Sequence, residues 1–99
     1  MKEINLEIST NEIINISDMF KLFADSTRLS IIFLMFGREL CVCDICNLLN
    51  LNQSAVSHQL KILRSAKLVK SRRDGKHIYY SLKDEQIENA IKMAVEYIR

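Results

Sequence analysis

The sequence predicts a mostly α-helical fold with one small β-hairpin. Apolar residues recur at helical spacing along most of the 99-residue chain, an Asp-Gly pair separates two runs of strand-forming residues, and no proline interrupts the chain. These three patterns favour helices joined by short turns, with a hairpin in the last third. A chain of this length has room for a modest core, so we expect residues 1–99 to form a single domain.

Two helices are predicted before the first cysteine. Ser9 and Thr10 are capping candidates for a first amphipathic helix. The apolar positions of this helix are Ile13, Ile16, Phe20 and Phe23. The chain then breaks and recaps at residues 25–27, and residues 29–36 form a second helix that is apolar nearly all round. We expect this second helix to be central, buried on most sides and ended by Gly37.

A short third helix is predicted over about residues 43–49. The positions that face inward in this helix are Ile45, Leu48 and Leu49. Residues 50–53 form a short polar turn. Ser54 follows the turn and is the expected cap of a fourth helix.

The fourth helix divides its residues between two faces. The positions expected to face the core are Val56, Leu60 and Leu63. The polar stripe on the other side consists of Ser54, Ser57, His58 and Lys61. Short hydrogen-bonding side chains at the start of a helix can reach base edges and phosphates without holding the backbone away. The stripe therefore favours a helix inserted in a DNA groove over an ordinary solvated face.

A β-hairpin is predicted over residues 68–82. Asp74-Gly75 marks its turn, because a type I′ turn needs positive φ at both central residues. The positions that alternate toward the core are Ile78, Tyr80 and Leu82. The basic residues at the tip, where they can meet DNA phosphate, are Arg72, Arg73 and Lys76. Helix, turn, helix and basic hairpin together predict a winged helix-turn-helix.

The last predicted helix covers residues 84–99. Its apolar stripe consists of Ile87, Ala90, Ile91, Ala94 and Ile98. A terminal helix with such a stripe could pair with its own copy in a dimer.

The net charge of +2 conceals a basic central segment. Residues 54–83 carry 8 basic side chains and 1 acidic side chain, whereas the segments before and after have net charges of −3 and −2. A concentrated positive segment between acidic ends is typical of a surface that binds a polyanion, and a plain solvated face is the alternative that charge alone leaves open.

All three cysteines, Cys41, Cys43 and Cys46, lie within six positions. No stretch approaches the roughly 18 to 20 apolar residues of a membrane helix, and the N-terminus lacks an export signal. We therefore expect a cytoplasmic protein with no membrane partner, in which thiols stay reduced. An odd number of clustered thiols favours metal binding or redox chemistry over a structural disulfide, and small buried residues are the plain alternative.

Helical geometry limits how these thiols can share one ion. At about 100° per residue, Cys41 and Cys43 lie roughly 200° apart on a regular helix, whereas Cys43 and Cys46 are neighbours. If Cys41 and Cys43 both bind the ion, residues 41–43 must be non-helical or must unwind. This segment precedes the helix that packs against the fourth helix, so we expect ion binding to distort the DNA-reading surface.

The segments "FADSTRLSII", "ELCVCDIC" and "QSAVSHQLKILRSAKLV…RRDGKHIYYSL" complete the pattern. They resemble, in turn, the second-helix signature, the thiolate metal box, and the recognition helix and wing of the ArsR/SmtB family of metal-sensing repressors. The resemblance implies a homodimer, paired through its first and last helices, that binds operator DNA when empty and releases it when an inducer binds. It also implies groove contacts by Ser54, Ser57, His58 and Gln59, with Gln53 at the helix entry.

The resemblance also bears on the inducer. The last helix lacks the His-containing pairs of the family's C-terminal metal site, and residues 1–40 supply no cysteine to complete a four-thiolate site. Three thiolates, from Cys41, Cys43 and Cys46, resemble the arsenite-responsive members, so As(III) or Sb(III) is the predicted inducer, without an organic cofactor. The alternatives are sensing of cadmium, lead or bismuth, and redox or persulfide sensing by the thiols.

An enzyme is the more distant alternative. No Cys-x5-Arg phosphate loop follows any cysteine and no glycine-rich cradle is present, so we expect no enzymatic activity.

The chain departs from the family pattern at Ser26, where proline is usual, and at Lys67, where glycine is frequent. Cys46 is not a ligand in every member that has the first two cysteines.

Overall fold

The computed structural model describes residues 7–99. Within this range the chain forms five helices and three strands. In chain order the elements are α1 (Thr10–Phe23), α2 (Ser26–Leu34), β1 (Leu40–Cys41), α3 (Val42–Leu49), α4 (Gln53–Ser65), β2 (Val69–Asp74), β3 (His77–Leu82) and α5 (Glu85–Ile98). The predicted winged helix-turn-helix is confirmed, and β1 is an additional strand that the sequence did not predict.

α1 begins with a reciprocal pair of hydrogen bonds. Ser9 Oγ accepts from the backbone N–H of Glu12 at 3.1 Å, and the Glu12 carboxylate accepts from the backbone N–H of Ser9 at 3.2 Å. This capping box satisfies two backbone donors that have no partner inside the helix. The helix start is thus fixed locally, as the capping candidates predicted.

α2 is shifted toward the N-terminus relative to the predicted residues 29–36. Asp25 Oδ2 accepts a hydrogen bond from the backbone N–H of Arg28 at 2.8 Å and starts the helix directly after itself. The last helical residue is Leu34, and a turn leads to Gly37, which has a left-handed φ of 69°. Because the Asp25 carboxylate acts as the N-cap, the helix starts three residues earlier than predicted.

Asn52 caps α4, and the prediction of Ser54 as the cap was wrong. Asn52 Oδ1 accepts a hydrogen bond from the backbone N–H of Ala55 at 2.8 Å, and the Asn52 backbone is extended, with φ −79° and ψ 161°. The turn before it sets this geometry, because Asn50 adopts a left-handed φ of 53° at the end of α3. Ser54 is consequently an exposed residue within the first turn of α4.

The three strands form an antiparallel sheet in the order β1-β3-β2. Cys41 on β1 pairs with Tyr79 on β3, and Tyr79 pairs with Arg72 on β2. The hairpin turn lies at Asp74-Gly75 as predicted, and Gly75 has a φ of 64°. β1 therefore joins the cysteine segment directly to the wing.

One hydrophobic cluster underlies α2, α3, α4, α5 and the sheet. Its most deeply buried side chains are Ile31, Ile32, Met35, Ile45, Val56, Leu60 and Leu63. Leu48, which was expected to face inward, lies outside it and is 54% exposed, and Phe33 in α2 is 42% exposed. α3 packs through the face that carries Ile45, and Leu48 is turned away from it. In α2 the exposed residues Ser26, Ser30 and Phe33 lie on one stripe, and the other positions of the helix are buried or half-buried, as predicted.

α1 and α5 keep large apolar side chains in water. None of the residues of α1 is buried, and Phe20 is 63% exposed. On α5, Ile91 is buried in the core, whereas Tyr97 is 91% exposed and Ile98 is 82% exposed. Within residues 7–99, no helix combines the length and the apolar character needed to cross a lipid bilayer. The two helices leave apolar faces that the protomer itself does not cover.

Lys67 ends α4 in a strained backbone conformation. The backbone N–H of Leu68 donates to the carbonyl of Leu63 at 3.0 Å, and that of Lys67 donates to the carbonyl of Arg64 at 3.0 Å. This pair of bonds is the Schellman motif, which places its penultimate residue in the left-handed region. Lys67 has a φ of 61°, where a side chain costs about 1–2 kcal/mol.

Lys67→Gly is expected to stabilise the protein. Relief of the strain exceeds the extra entropy of glycine in the unfolded chain, so the net gain is about 0.5–1 kcal/mol. Thermal unfolding followed by circular dichroism at fixed protein concentration should show a midpoint higher by a few degrees. Lys67→Ala is the control, because alanine keeps the strain and removes only the long side chain. An equal gain in Lys67→Ala would contradict the backbone explanation.

Candidate DNA-binding surface and thiol cluster

α4 has one buried apolar face and one exposed polar face. On the buried face, Val56, Leu60 and Leu63 are each exposed by 1% or less. The exposed face carries the predicted polar stripe, and Gln53 at the start of the helix is exposed as well. The residues of the stripe are Ser54, Ser57, His58 and Lys61. The apolar side packs against the core and fixes the orientation of the helix, so the polar side faces solvent in a fixed orientation. This is the arrangement that a groove-reading helix requires.

Gln59 lies between these two faces. Its Oε1 accepts a hydrogen bond from Arg28 Nε on α2 at 2.9 Å, and Arg28 Nη1 donates to the carbonyl of Leu22 at 3.1 Å. The pair thus ties α4 to α2 and to the last turn of α1. A DNA contact by Gln59 stays a prediction, since its carbonyl oxygen is already bonded within the protein. Arg28 was not among the predicted site residues. The feature that could have pointed to it is a cationic residue in the mostly apolar α2.

The wing has an exposed basic tip. Arg73 and Lys76 flank the Asp74-Gly75 turn and are exposed to solvent. They stand where the hairpin prediction put them. Two cations at a hairpin tip can approach a phosphate backbone beside a groove.

Arg72 is held by the protein instead of pointing freely from the tip. Its Nε donates to Glu39 Oε2 at 2.8 Å, and its Nη2 donates to Glu39 Oε1 at 2.8 Å. The guanidinium lies over the Tyr79 ring, 5.0 Å from the centroid. These hydrogen bonds lower the pKa of the Glu39 carboxyl and raise the pKa of Arg72. Glu39 and Tyr79 were absent from the predicted site, because the contact joins residues far apart in sequence.

The three cysteines occupy different kinds of backbone. Cys41 ends β1 with extended φ −84° and ψ 168° and is also the residue before α3. Cys43 is exposed in the first turn of α3, and Cys46 is half-buried one turn later. The helix therefore starts after Cys41, which separates Cys41 from the helical pair without any unwinding. All three thiols are free.

A carboxylate organises the start of this segment. The Asp44 carboxylate accepts a hydrogen bond from the backbone N–H of Cys41 at 3.2 Å. Hydrogen bonds from the Cys41 thiol and backbone lower the pKa of the Asp44 carboxyl, and the nearby His77 and Arg38 side chains lower it further. Asp44 is thus an anion that fixes the junction between β1 and α3.

Two clefts lie between the cysteine segment and α4, and one of them also reaches the wing. One cleft of about 370 Å³ opens between α3, α4 and the wing. Its polar lining residues include Cys41, Cys43, Gln53, Ser57, Lys76 and His77. A second cleft of about 270 Å³ is lined by Cys43, Cys46 and Gln53, together with Val42. Across residues 7–99, no three His, Cys, Asp or Glu side chains are gathered around one point that could hold a metal ion.

Comparison with known proteins agrees with this geometry. The family model described as "Bacterial regulatory protein, arsR family" matches residues 25–71, which run from the cap of α2 into β2. The chain is 38% identical over 92 residues to the "Transcriptional repressor SmtB homolog" of Synechocystis sp., covering 93% of this chain and 70% of that protein. It is 43% identical over 65 residues to the "Arsenical resistance operon repressor" of Escherichia coli K12, covering 65% of this chain and 56% of that protein.

The fold has a match among solved structures. A solution structure of a homodimeric winged helix-turn-helix DNA-binding domain from Mycobacterium bovis superposes with a TM-score of 0.84. The superposition covers 98% of this chain and 90% of that chain, at 23% sequence identity. At this identity the likeness shows the fold.

Proposed function

The chain belongs to the arsR family of bacterial regulatory proteins, and from this premise we propose that it is a homodimeric repressor of transcription that binds operator DNA. A soft thiophilic ion held by Cys41, Cys43 and Cys46 releases the repressor, and As(III) or Sb(III) is the inducer. Membership of the family confirms the prediction of a DNA-binding transcriptional regulator rather than an enzyme.

One observation carries this proposal: two of the three cysteines line a cleft together with residues of both proposed DNA-binding elements. Cys41 and Cys43 line the same cleft as Gln53 at the start of α4 and Lys76 on the wing. An ion bound there is in contact with the walls that separate the reading helix from the wing. A change in the shape of the cleft therefore changes how these two elements are set relative to each other.

The proposed DNA contacts follow the exposed face of α4 and the tip of the wing. Base-edge and phosphate contacts on α4 are assigned to Gln53, Ser54, Ser57, His58 and Lys61, and phosphate contacts on the wing to Arg73 and Lys76. Short side chains at a helix start suit base readout, and cations at the tip suit phosphate. Gln59 and Arg72 stay predictions as DNA contacts, because Arg28 and Glu39 engage them.

The donor chemistry of the cluster fits a soft ion. Thiolates are the donors that such ions prefer, and three donors suit As(III) or Sb(III). Cadmium, lead and bismuth remain the alternative ions for the same donors. Within the described residues no three His, Cys, Asp or Glu side chains are gathered around one point, and we propose that residues 41–43 rearrange when an ion binds. The bound ion would supply the free energy for that movement.

The dimer is assigned to the exposed apolar faces of α1 and α5. Phe20 and Tyr97 are 63% and 91% exposed in the protomer, and each belongs to a helix with further exposed apolar side chains. Removal of such side chains from water is a main driving force of association. A second copy of the chain is the occupant proposed for these faces.

The proposal is tested by fluorescence anisotropy with a labelled DNA fragment from upstream of the protein's own gene. Arsenite, antimonite, cadmium, zinc and peroxide are added in separate titrations. We expect arsenite or antimonite to weaken DNA binding by about 5- to 150-fold, the usual range of coupling between two ligands. Ultraviolet absorption from sulfur-to-arsenic bonds should rise in step and saturate at one ion per chain.

The second candidate function is thiol-based sensing of oxidants or persulfides. The observation that favours it is the exposure of Cys43, since an accessible thiol is open to oxidation. The same titration, with polysulfide as a further addition, separates the two functions. Release by peroxide or polysulfide alone, without arsenite binding, would contradict the ion-sensing proposal.

A further inference from the structure

A two-pronged ion pair ties the cysteine segment to the wing. Glu39 lies directly before β1, and Arg72 lies on β2 at the far side of the sheet. Three hydrogen bonds of 2.8–3.0 Å join the Arg72 guanidinium to the two Glu39 oxygens. Arg72 Nη1 also lies 3.8 Å from Asp74 Oδ2. Most of the guanidinium is thus engaged inside the protein, and the contact reaches over β3 from one edge of the sheet to the other.

Stability alone is a weak reason for this contact. The side chains of Arg72 and Glu39 are 54% and 40% exposed, and ion pairs this open to water add little to the free energy of unfolding. What distinguishes the contact is its geometry, because a bidentate arginine–carboxylate pair fixes direction as well as distance. The pair is therefore better suited to hold two elements in register than to stabilise the fold.

The sheet register places this pair beside a proposed ion ligand. Cys41, Tyr79 and Arg72 stand opposite one another in a row across β1, β3 and β2. Residues opposite each other in antiparallel strands share a face of the sheet. The side chains of Cys41 and Arg72 therefore lie on the same face as Tyr79, one on each side of it. β1 has only two paired positions, Leu40 with Tyr80 and Cys41 with Tyr79. A strand this short has few bonds to resist displacement when Cys41 moves.

We propose that Glu39 is a positioning residue that transmits occupancy of the thiols to the wing through its ion pair with Arg72. The inference rests on the proposed thiolate site. With empty thiols, Glu39 holds the wing strand in its DNA-binding position. When residues 41–43 close around an ion, Glu39 moves with β1 and carries Arg72, and hence the wing, away from that position. The ion pair also withholds one cation per chain from DNA.

The test compares Glu39→Gln with the wild type in the anisotropy titration with arsenite. Glutamine has nearly the same shape but no charge, so the link to Arg72 weakens and Arg72 is freed. Arsenite uptake by ultraviolet absorption should be unchanged, while the arsenite-induced weakening of DNA binding should fall by about fivefold or more, a large part of the usual coupling range. The salt dependence of DNA binding should steepen by about 0.9 in log–log slope for each Arg72 that reaches a phosphate.

Arg73→Gln is the matched control, because Arg73 is the next residue on β2 and has no ion-pair partner among the described residues. It should weaken DNA binding and flatten the salt slope, yet leave the effect of arsenite unchanged. The exchange variant Glu39→Arg/Arg72→Glu keeps the net charge and rebuilds the pair in reverse, and should recover most of the wild-type response.

The possible failures are distinguishable. If arsenite does not release the wild type, the proposed function fails, and this inference fails with it. Equal release of the wild type and Glu39→Gln overturns only the role of Glu39. A lower midpoint of thermal unfolding in Glu39→Gln with an unchanged arsenite effect would show a structural role and would also overturn the proposal. No recovery in the exchange variant would overturn the ion pair as the link.

Discussion

Replacement of both Cys41 and Cys43 by serine is expected to leave DNA binding intact and to abolish release by arsenite. Serine is close to cysteine in size, and neither residue lies in the buried core, since Cys41 is half-buried and Cys43 is exposed. A hydroxyl group, unlike a thiolate, is not a soft ligand. The weakening of DNA binding by arsenite, about 5- to 150-fold in the wild type, should therefore disappear. Anisotropy and ultraviolet absorption measure the two effects on the same samples.

The control for this pair is Asn47→Ala. Asn47 Nδ2 lies 3.9 Å from Cys43 Sγ, so the variant removes the amide next to the thiol and keeps every cysteine. It should retain arsenite uptake and release. Release of the double serine variant by arsenite would place the ion elsewhere in the molecule and would sink the thiolate assignment.

Phe20→Glu is expected to break the dimer and, with it, most of the affinity for operator DNA. Phe20 is 63% exposed in the protomer, so the substitution does not damage the core. In the proposed dimer it buries two unpaired carboxylates, at a cost of about 3–5 kcal/mol for each uncompensated charge. Dimerisation should weaken by a factor of more than about 100. Sedimentation equilibrium measures the assembly, and anisotropy measures the loss of DNA binding.

Lys21→Gln tests whether charge alone explains this result. It makes the same change in net charge at the neighbouring position of α1, where the Lys21 side chain is 77% exposed in a loose pair with Asp18. It should remain a dimer with nearly normal DNA affinity. Circular dichroism should show helical content unchanged in both variants. A dimeric Phe20→Glu with full DNA affinity would exclude α1 from the interface.

The helices and the wing could be predicted from local sequence patterns, because the spacing of apolar residues repeats along each helix and strand. The apolar spacing of α4 predicted which side of it is buried, and Asp74-Gly75 predicted the hairpin turn. β1 escaped prediction because a strand of two residues has no period to read. Asn52 and Ser54 are both good caps, and the left-handed Asn50 between α3 and α4 decides for the first.

The parts of the site that were missed depend on contacts between distant segments. Gln59 is turned toward α2 by Arg28, which is 31 positions away, and Arg72 is turned toward Glu39, 33 positions away. Periodicity within either segment contains no information on such pairs. The cysteines could be identified as a site because they cluster within one short segment. That Cys41 ends a strand while Cys43 and Cys46 lie on a helix could not be predicted, because β1 itself was not predicted.

The apolar faces of α1 and α5 bear on how many copies of the chain a cell must hold. If two protomers must meet before either grips the promoter firmly, promoter occupancy rises with the square of the chain concentration while most chains are single. A modest fall in copy number then empties the promoter more sharply than a monomeric repressor would. Expression of the controlled genes would then acquire a threshold from exposed apolar side chains such as Phe20 and Tyr97, which lie outside the proposed DNA-binding and thiol sites.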